Sequence, residues 1–464
     1  MAALSEQVRH DAASLYQFVC SIVDLCERRN PAAAYLSSSE RFFDYLVDLG
    51  RATKEYVQNS PGGRTQPAEY LDLRDEIALL RAGWQFLHAF VRPALESDTL
   101  HLPGALVLGL IRRFREIPRY SKTDFVIFHT DEFNYLTVRS SPLKKNADGM
   151  ASLVHGPSFP EDLGLIGIPY SQSSSLFMNC LIPHEMGHYV FADAGLGKKF
   201  RREIEQQLVN NLGSQFPLLE RIAYTEILAK WSEELFCDVF AVRLIGFSYS
   251  LAFVELFDLP KALDENGRLS PPRSQSFPRF DEYPADLFRV KQQAAVLVKD
   301  RWWPELVKVD SHYVKLLQAA EQMTEADFEF PLANQADSAK LLSAFFAVVP
   351  QIFSELDAIT AGLAPGFEEW TKTKSNVETY LEHGVVPSSL LEKKGELKFV
   401  RPHLVGLLNS SYKFYVESLN QLIAHIKDAK VSDIGTRSKW ASKVQAWTSK
   451  AIEDVSLLEG KGRI

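Results

Sequence analysis

Five consecutive residues carry the first chemical signal in this chain: His184-Glu185-Met186-Gly187-His188, the pattern His-Glu-x-x-His. On an α-helix histidines four positions apart stand one turn apart on the same face, so both imidazoles can reach one metal ion. Glu185 points to the neighbouring side of that face. There its carboxylate can take a proton from a metal-bound water without ligating the metal. Zinc lowers the pKa of such a water, and a glutamate general base completes its activation. The flanking Leu181, Ile182, Val190 and Phe191 are apolar, which places the motif in an apolar helix. The bland alternative is a pair of helix histidines satisfied by ordinary hydrogen bonds.

A catalytic zinc site needs a third protein ligand and an open fourth position. The metzincin extension requires glycine and histidine at positions 191 and 194, which here hold Phe191 and Ala194, so that class is excluded. Downstream the chain reads Trp231-Ser-Glu233-Glu234-Leu-Phe-Cys237-Asp238-Val-Phe-Ala241. Glu234 and Asp238 are one helical turn apart and share the stripe of Leu228, Trp231, Ala241 and Ile245. Two acids on an apolar stripe are costly unless paired or metal-bound. The simplest account makes Glu234 the third ligand and lets Asp238 accept the outer N–H of a ligand histidine. Glu233 competes for the ligand role from about 100° round the helix, nearer its polar side.

Together these residues resemble the gluzincins, zinc metallopeptidases that combine HExxH with a downstream E-x-x-x-D on a second helix. The resemblance covers about residues 120–250. It implies His184, His188 and Glu234 as zinc ligands, Glu185 as general base and Asp238 as hydrogen-bond partner of a ligand histidine, with His184 the candidate. It implies an edge strand that binds substrate backbone as an added strand, for which Leu163–Ile168 and Phe125–His129 are the candidates. It also implies a Tyr, His or Arg that stabilises an oxyanion. His312, Tyr313, Tyr283, Arg289 and His383 are open for that role. Some members carry His-Pro before a helix with an arginine shortly after; here Tyr283-Pro284-Ala-Asp-Leu-Phe-Arg289 has tyrosine in the histidine's place.

The elements that must position these residues are mostly helical. Leu4, Val8, Ala12, Leu15, Val19, Ile22 and Cys26 recur every three or four residues, one stripe of an amphipathic helix. Further helices are expected over 39–58, around Leu73–Val91 and over 103–115. Asp124–His129 and Asn134–Val138 read as two strands of a hairpin or meander, and Leu163–Tyr170 as a third strand whose glycines suggest close backbone approach. A helix is expected over Leu176–Ala192, with Pro183 either kinking it or beginning it, and a kink favoured. A long helix follows over Glu220–Ile245, then a Pro/Ser/Arg-rich loop over 265–284 long enough to be a lid, then mostly helix to the end. The fold class expected is mainly α (α+β): an N-terminal helical region (1–118), a zincin-like catalytic domain with a small β-sheet (119–320) and a C-terminal helical region (321–464).

Composition sets the outer limits. Of 464 residues, 46% are apolar and 24% charged, which excludes a disordered or collagen-like chain. The net charge of −8 argues against a dedicated nucleic-acid binder. Cys20, Cys26, Cys180 and Cys237 form no CxxC pair and read as small buried hydrophobes in a reducing compartment. Charges interrupt the N-terminus too early for a signal peptide. The apolar runs Ala105–Ile111, Leu176–Pro183 and Leu341–Phe353 each fall short of a bilayer span, so the expectation is a cytoplasmic protein with no membrane partner. Lys198, Lys199, Arg201 and Arg202 read as a solvated basic face. The function expected is a zinc-dependent peptidase (cofactor Zn2+) acting on a peptide or protein. The alternatives are a helical regulatory protein with a degenerate or structural zinc site, and a zinc hydrolase of another amide or ester. Oligomeric state is not legible.

Overall fold

The chain is mainly α-helical with a small mixed β-sheet. A computed structural model describes all residues except 1, 29–39, 61–65, 98–103, 131–134, 139, 161, 173, 214–216, 260–262, 264–282, 329, 331–334, 389, 395, 401, 418–433 and 462–464. The lid candidate thus lies outside the described residues apart from Tyr283 and Pro284. Two compact units emerge, Met1–Ile111 with Lys122–Ser174, and Arg112–Ser121 with Ser175–Ile464. The strands expected in the middle region therefore belong with the N-terminal helices, while the histidine motif belongs with the C-terminal ones.

In the first unit α1 (Ala2–Glu27), α2 (Glu40–Asn59) and α3 (Pro67–Ser97) pack together. The stripe read from the sequence is the buried face of α1: Val8, Ala12, Leu15, Val19, Ile22 and Cys26 are all interior. They meet Leu46 and Leu49 of α2 and Leu73, Ile77, Leu80, Trp84 and Val91 of α3 in one apolar core. The Trp84 indole N–H donates to Thr53 Oγ1 at 3.2 Å, which answers the polar end of a fully buried ring. The helix α4 (Gly104–Arg115) runs from this unit into the next.

The sheet corrects the expected hairpin or meander. β1 (Asp124–Thr130) and β2 (Leu136–Val138) do not pair with each other. After α5 (Ser140–Val154), which the sequence reading passed over, β3 (Leu163–Pro169) inserts between them, parallel to β1 and antiparallel to β2. The physical reason is apolarity: every residue of β3 is buried, so it takes the central position. Gly167 makes the close approach possible, since a Cβ there would lie 2.9 Å from Leu136 Cγ. Of the two candidate substrate strands, Leu163–Ile168 is paired on both sides and only β1 lies at an edge.

The second unit is built around one helix. It contains α6 (Ile182–Asp193), α7 (Leu196–Leu212), α8 (Leu218–Ile245), α9 (Phe247–Leu256), α10 (Asp286–Lys299), α11 (Trp303–Leu306), α12 (His312–Glu321), α13 (Gln335–Phe346), α14 (Val349–Ile359) and α15 (Gly366–Glu382). A hairpin of β4 (Leu390–Lys394) and β5 (Glu396–Val400), not foreseen, precedes α16 (Leu404–Glu417) and α17 (Ile434–Lys461). α6, α7, α10 and α14 all pack on α8. From Leu235 to Val242 every residue of α8 is buried, the signature of a helix enclosed on all sides.

One further expectation is corrected. Pro183 does not kink a longer helix; α6 begins at Ile182 with Pro183 in its first turn, after a 3-10 turn over Met178–Leu181. In that first turn the missing N–H has no intrahelical acceptor to lose. Also, one stretch among the described residues, Asp337–Ile359, is long and apolar enough to cross a membrane by length and composition. The sequence reading counted only uninterrupted apolar runs. Here the stretch folds as α13 and α14, with Leu341, Phe345, Ile352 and Leu356 buried.

Candidate metal centre

The site begins with how α6 and α8 meet. A Cβ on Gly187 would lie 2.8 Å from Cys237 Cα, so glycine at this third position after His184 lets the two helices touch backbone to side. That contact brings the histidine face of α6 onto the Glu234/Asp238 face of α8.

The two imidazoles stand with ring centroids 5.0 Å apart and planes at 83°. His184 Nδ1 donates to Asp238 Oδ1 at 2.9 Å, and His188 Nδ1 donates to Glu233 Oε1 at 3.0 Å. Both outer nitrogens are therefore committed to carboxylates, which leaves both Nε2 atoms facing inward. They face the same side chain: His184 Nε2 is 3.3 Å from Glu234 Oε2, and His188 Nε2 is 3.6 Å from Glu234 Oε1. The structure thus brings His184, His188, Glu234 and Asp238 together. Glu233, weighed as a rival ligand, instead orients His188. Glu185 is buried beside them on α6.

Asp238 is fully buried and would be prohibitive there without donors. Arg289 of α10 supplies two, Nε to Oδ2 at 2.6 Å and Nη2 to Oδ1 at 2.8 Å, and reaches Glu234 Oε2 at 3.4 Å. The Arg289 guanidinium lies 4.7 Å from the Phe253 ring centroid and 5.7 Å from that of Tyr283. Tyr249 of α9 donates its hydroxyl to Asp238 Oδ1. Sequence reasoning weighed Arg289 only as an oxyanion group and missed Tyr249. No periodicity marks Tyr249, because the Gly246 turn separates α9 from α8. Of the other oxyanion candidates, His383 is held at the end of its own helix by Thr379 O at 2.8 Å. Tyr313 lies near Glu255, and burial raises its pKa.

The electrostatics follow from this packing. Burial opposes charge on His184, but its bonds to Asp238 and Glu234 outweigh that, and its pKa is pushed up to about 10. His188 is likewise raised, against burial, by Glu233 and the nearby Glu234. Burial would raise the Asp238 pKa, yet Arg289 and His184 hold it far below the ordinary carboxylate value. Among the described residues here, the carboxylates of Glu185, Glu233, Glu234 and Asp238 outnumber the Arg289 guanidinium. The excess negative charge suits protonated imidazoles or a divalent cation.

One ambiguity concerns sulfur. Ligand atoms of His184, His188 and Cys237 lie within 4.8 Å of one another, a set that could also hold a metal. Burial and then the charges of Glu234, Glu233, Glu185 and Asp238 push the Cys237 pKa far up. The thiolate needed for ligation is the form this environment opposes most.

Comparisons with protein-family models, with curated proteins and with solved structures each find no match to this chain.

Proposed function

We propose that this protein is a zinc-dependent peptidase, with His184, His188 and Glu234 as the metal ligands and Glu185 as the general base. The observation that carries the reading is the pair of inward Nε2 atoms facing one Glu234 carboxylate at 3.3 and 3.6 Å, while each outer nitrogen is tied to a carboxylate. This donor set suits zinc, which takes imidazole nitrogen and carboxylate oxygen ligands. When bound, zinc supplies a Lewis acid that polarises a carbonyl and makes water acidic enough to attack it at neutral pH.

The protein's own residues do the rest. Asp238 and Glu233 keep the two ligand imidazoles in the tautomer that leaves Nε2 free. Glu185 takes the proton of the attacking water and returns it to the leaving nitrogen. Arg289 neutralises Asp238, so the carboxylate stays ionised in a buried place.

The test has two parts. Purified protein should contain about one zinc per chain, and Glu185→Ala should keep it. Comparative proteomics of cells carrying wild type or Glu185→Ala should reveal peptides cleaved only by the wild type. Zinc without any difference in cleavage would overturn the peptidase reading.

A second reading, a structural or degenerate zinc site in a helical interaction protein, is favoured by the nearness of Cys237 to both histidines. It requires Cys237→Ala to lose the metal; the peptidase reading requires Cys237→Ala to keep it and Glu234→Ala to lose it.

A further inference from the structure

We infer that Tyr249 is a positioning residue of the proposed metal centre, acting on zinc affinity through His184; the inference rests on the ligand assignment above. Tyr249 is 1% exposed and sits two residues into α9. Its oxygen lies 3.2 Å from His184 Nδ1 while its proton goes to Asp238 Oδ1. The tyrosine and histidine ring planes are parallel to within 4°.

The hydrogen accounting is closed. Both Asp238 oxygens accept from Arg289, and Oδ1 accepts from Tyr249 as well, so this carboxylate faces His184 as an acceptor. With the Tyr249 proton committed to Asp238, the oxygen beside His184 presents a lone pair. His184 Nδ1 therefore faces two acceptors and must carry hydrogen. With Nδ1 holding hydrogen, Nε2, which faces Glu234, is the nitrogen left to give up its proton and bind a metal. The hydroxyl is also one of three donors to Asp238 Oδ1, with His184 Nδ1 and Arg289 Nη2, so it steadies the carboxylate that steadies the ring.

The placement of Tyr249 is built into the fold. At Gly246 the backbone has φ +77°, and a Cβ there would lie 2.7 Å from Trp302 Cζ2. Asn409 of α16 holds the turn: its Nδ2 donates to Ile245 O at 2.7 Å and its Oδ1 accepts from Ser248 N at 2.9 Å. α9 is thus folded back so that its first turn presents Tyr249 to a residue of α8 eleven positions earlier.

The experiment is zinc titration in competition with a chromophoric chelator, on the full chain, for wild type, Tyr249→Phe and Tyr412→Phe. Tyr412 is a control, a fully buried tyrosine whose hydroxyl donates to Glu255 Oε2 at 2.6 Å rather than to a residue of the centre. Tyr249→Phe should weaken zinc binding roughly tenfold, at the low end of what partners of metal-bound histidines are worth, with Tyr412→Phe within twofold of wild type. Unchanged affinity in Tyr249→Phe overturns the inference, as does an equal loss in both variants, which would mean general loosening. Should Tyr249→Phe not fold, Tyr249→Met is read against the same control. If the wild type itself binds no zinc, the ligand assignment fails and this inference with it; if the wild type binds zinc and Tyr249→Phe binds it as tightly, the assignment stands and this inference alone fails.

Discussion

Glu233 and Glu234 are neighbours in sequence with different work to do. Glu234 faces both Nε2 atoms, whereas Glu233 holds the outer nitrogen of His188. The sequence reading weighed Glu233 only as a rival ligand. The geometry instead predicts that Glu233→Gln and Glu233→Ala weaken zinc about 10–100-fold without abolishing it, measured by chelator competition. A second residue-scale prediction concerns Asp286 at the start of α10. Burial first, with Asp238 adding and Arg289 opposing, raises its pKa to about 6. An acid whose folded pKa exceeds its unfolded value binds more protons when folded, so stability falls as pH rises from about 4 through 6. Asp286→Asn should therefore stabilise the protein at pH 7.5 by up to about 3 kcal/mol and change little at pH 4, as read by urea denaturation. Equal effects at both pH values would contradict it.

At the scale of elements, the contact between α6 and α8 decides whether the residues above can meet. Gly187 is where the helices touch, and any side chain there meets Cys237 Cα. Gly187→Ala gains helix propensity of up to about 1 kcal/mol but forces the helices apart, at a cost of about 1–3 kcal/mol. The expected result is a lower Tm together with weakened zinc binding, because the shift separates the histidine face from Glu234. A stabilised variant with normal zinc affinity would show that the helices yield elsewhere. The same scale explains Asn409-Ser-Ser411, which as a pattern resembles a glycosylation acceptor. Asn409 is fully buried and bonded to the α8–α9 turn, which is what places Tyr249.

For the whole molecule, the two compact units differ in what a metal can do for them. The candidate ligands all lie in the unit of Ser175–Ile464. A ligand that binds only the folded form stabilises it by about 4 kcal/mol at a thousand times its Kd. Stripping zinc with a chelator should therefore lower the melting transition of that unit and leave a transition assignable to the N-terminal helices in place. Calorimetry with and without chelator checks this. A single transition that moves as one would show that the units unfold together.

The sequence by itself determined the parts governed by local rules. The stripe of α1 appeared with its buried residues named, because helical periodicity and burial share one cause. His184 with His188, and Glu234 with Asp238, could be picked out because four-residue spacing places side chains on one helix face whatever surrounds it. What joins those faces was not local. The order of the sheet, with β3 between β1 and β2, was decided by which strand had the most apolar surface to enclose. Glu233 as the partner of His188, Arg289 as the counter-charge of Asp238, and Tyr249 beside both came only with the tertiary structure. Each reaches the centre across a helix crossing or a turn, and the distances there depend on how closely whole helices pack, which residue spacing along the chain does not encode.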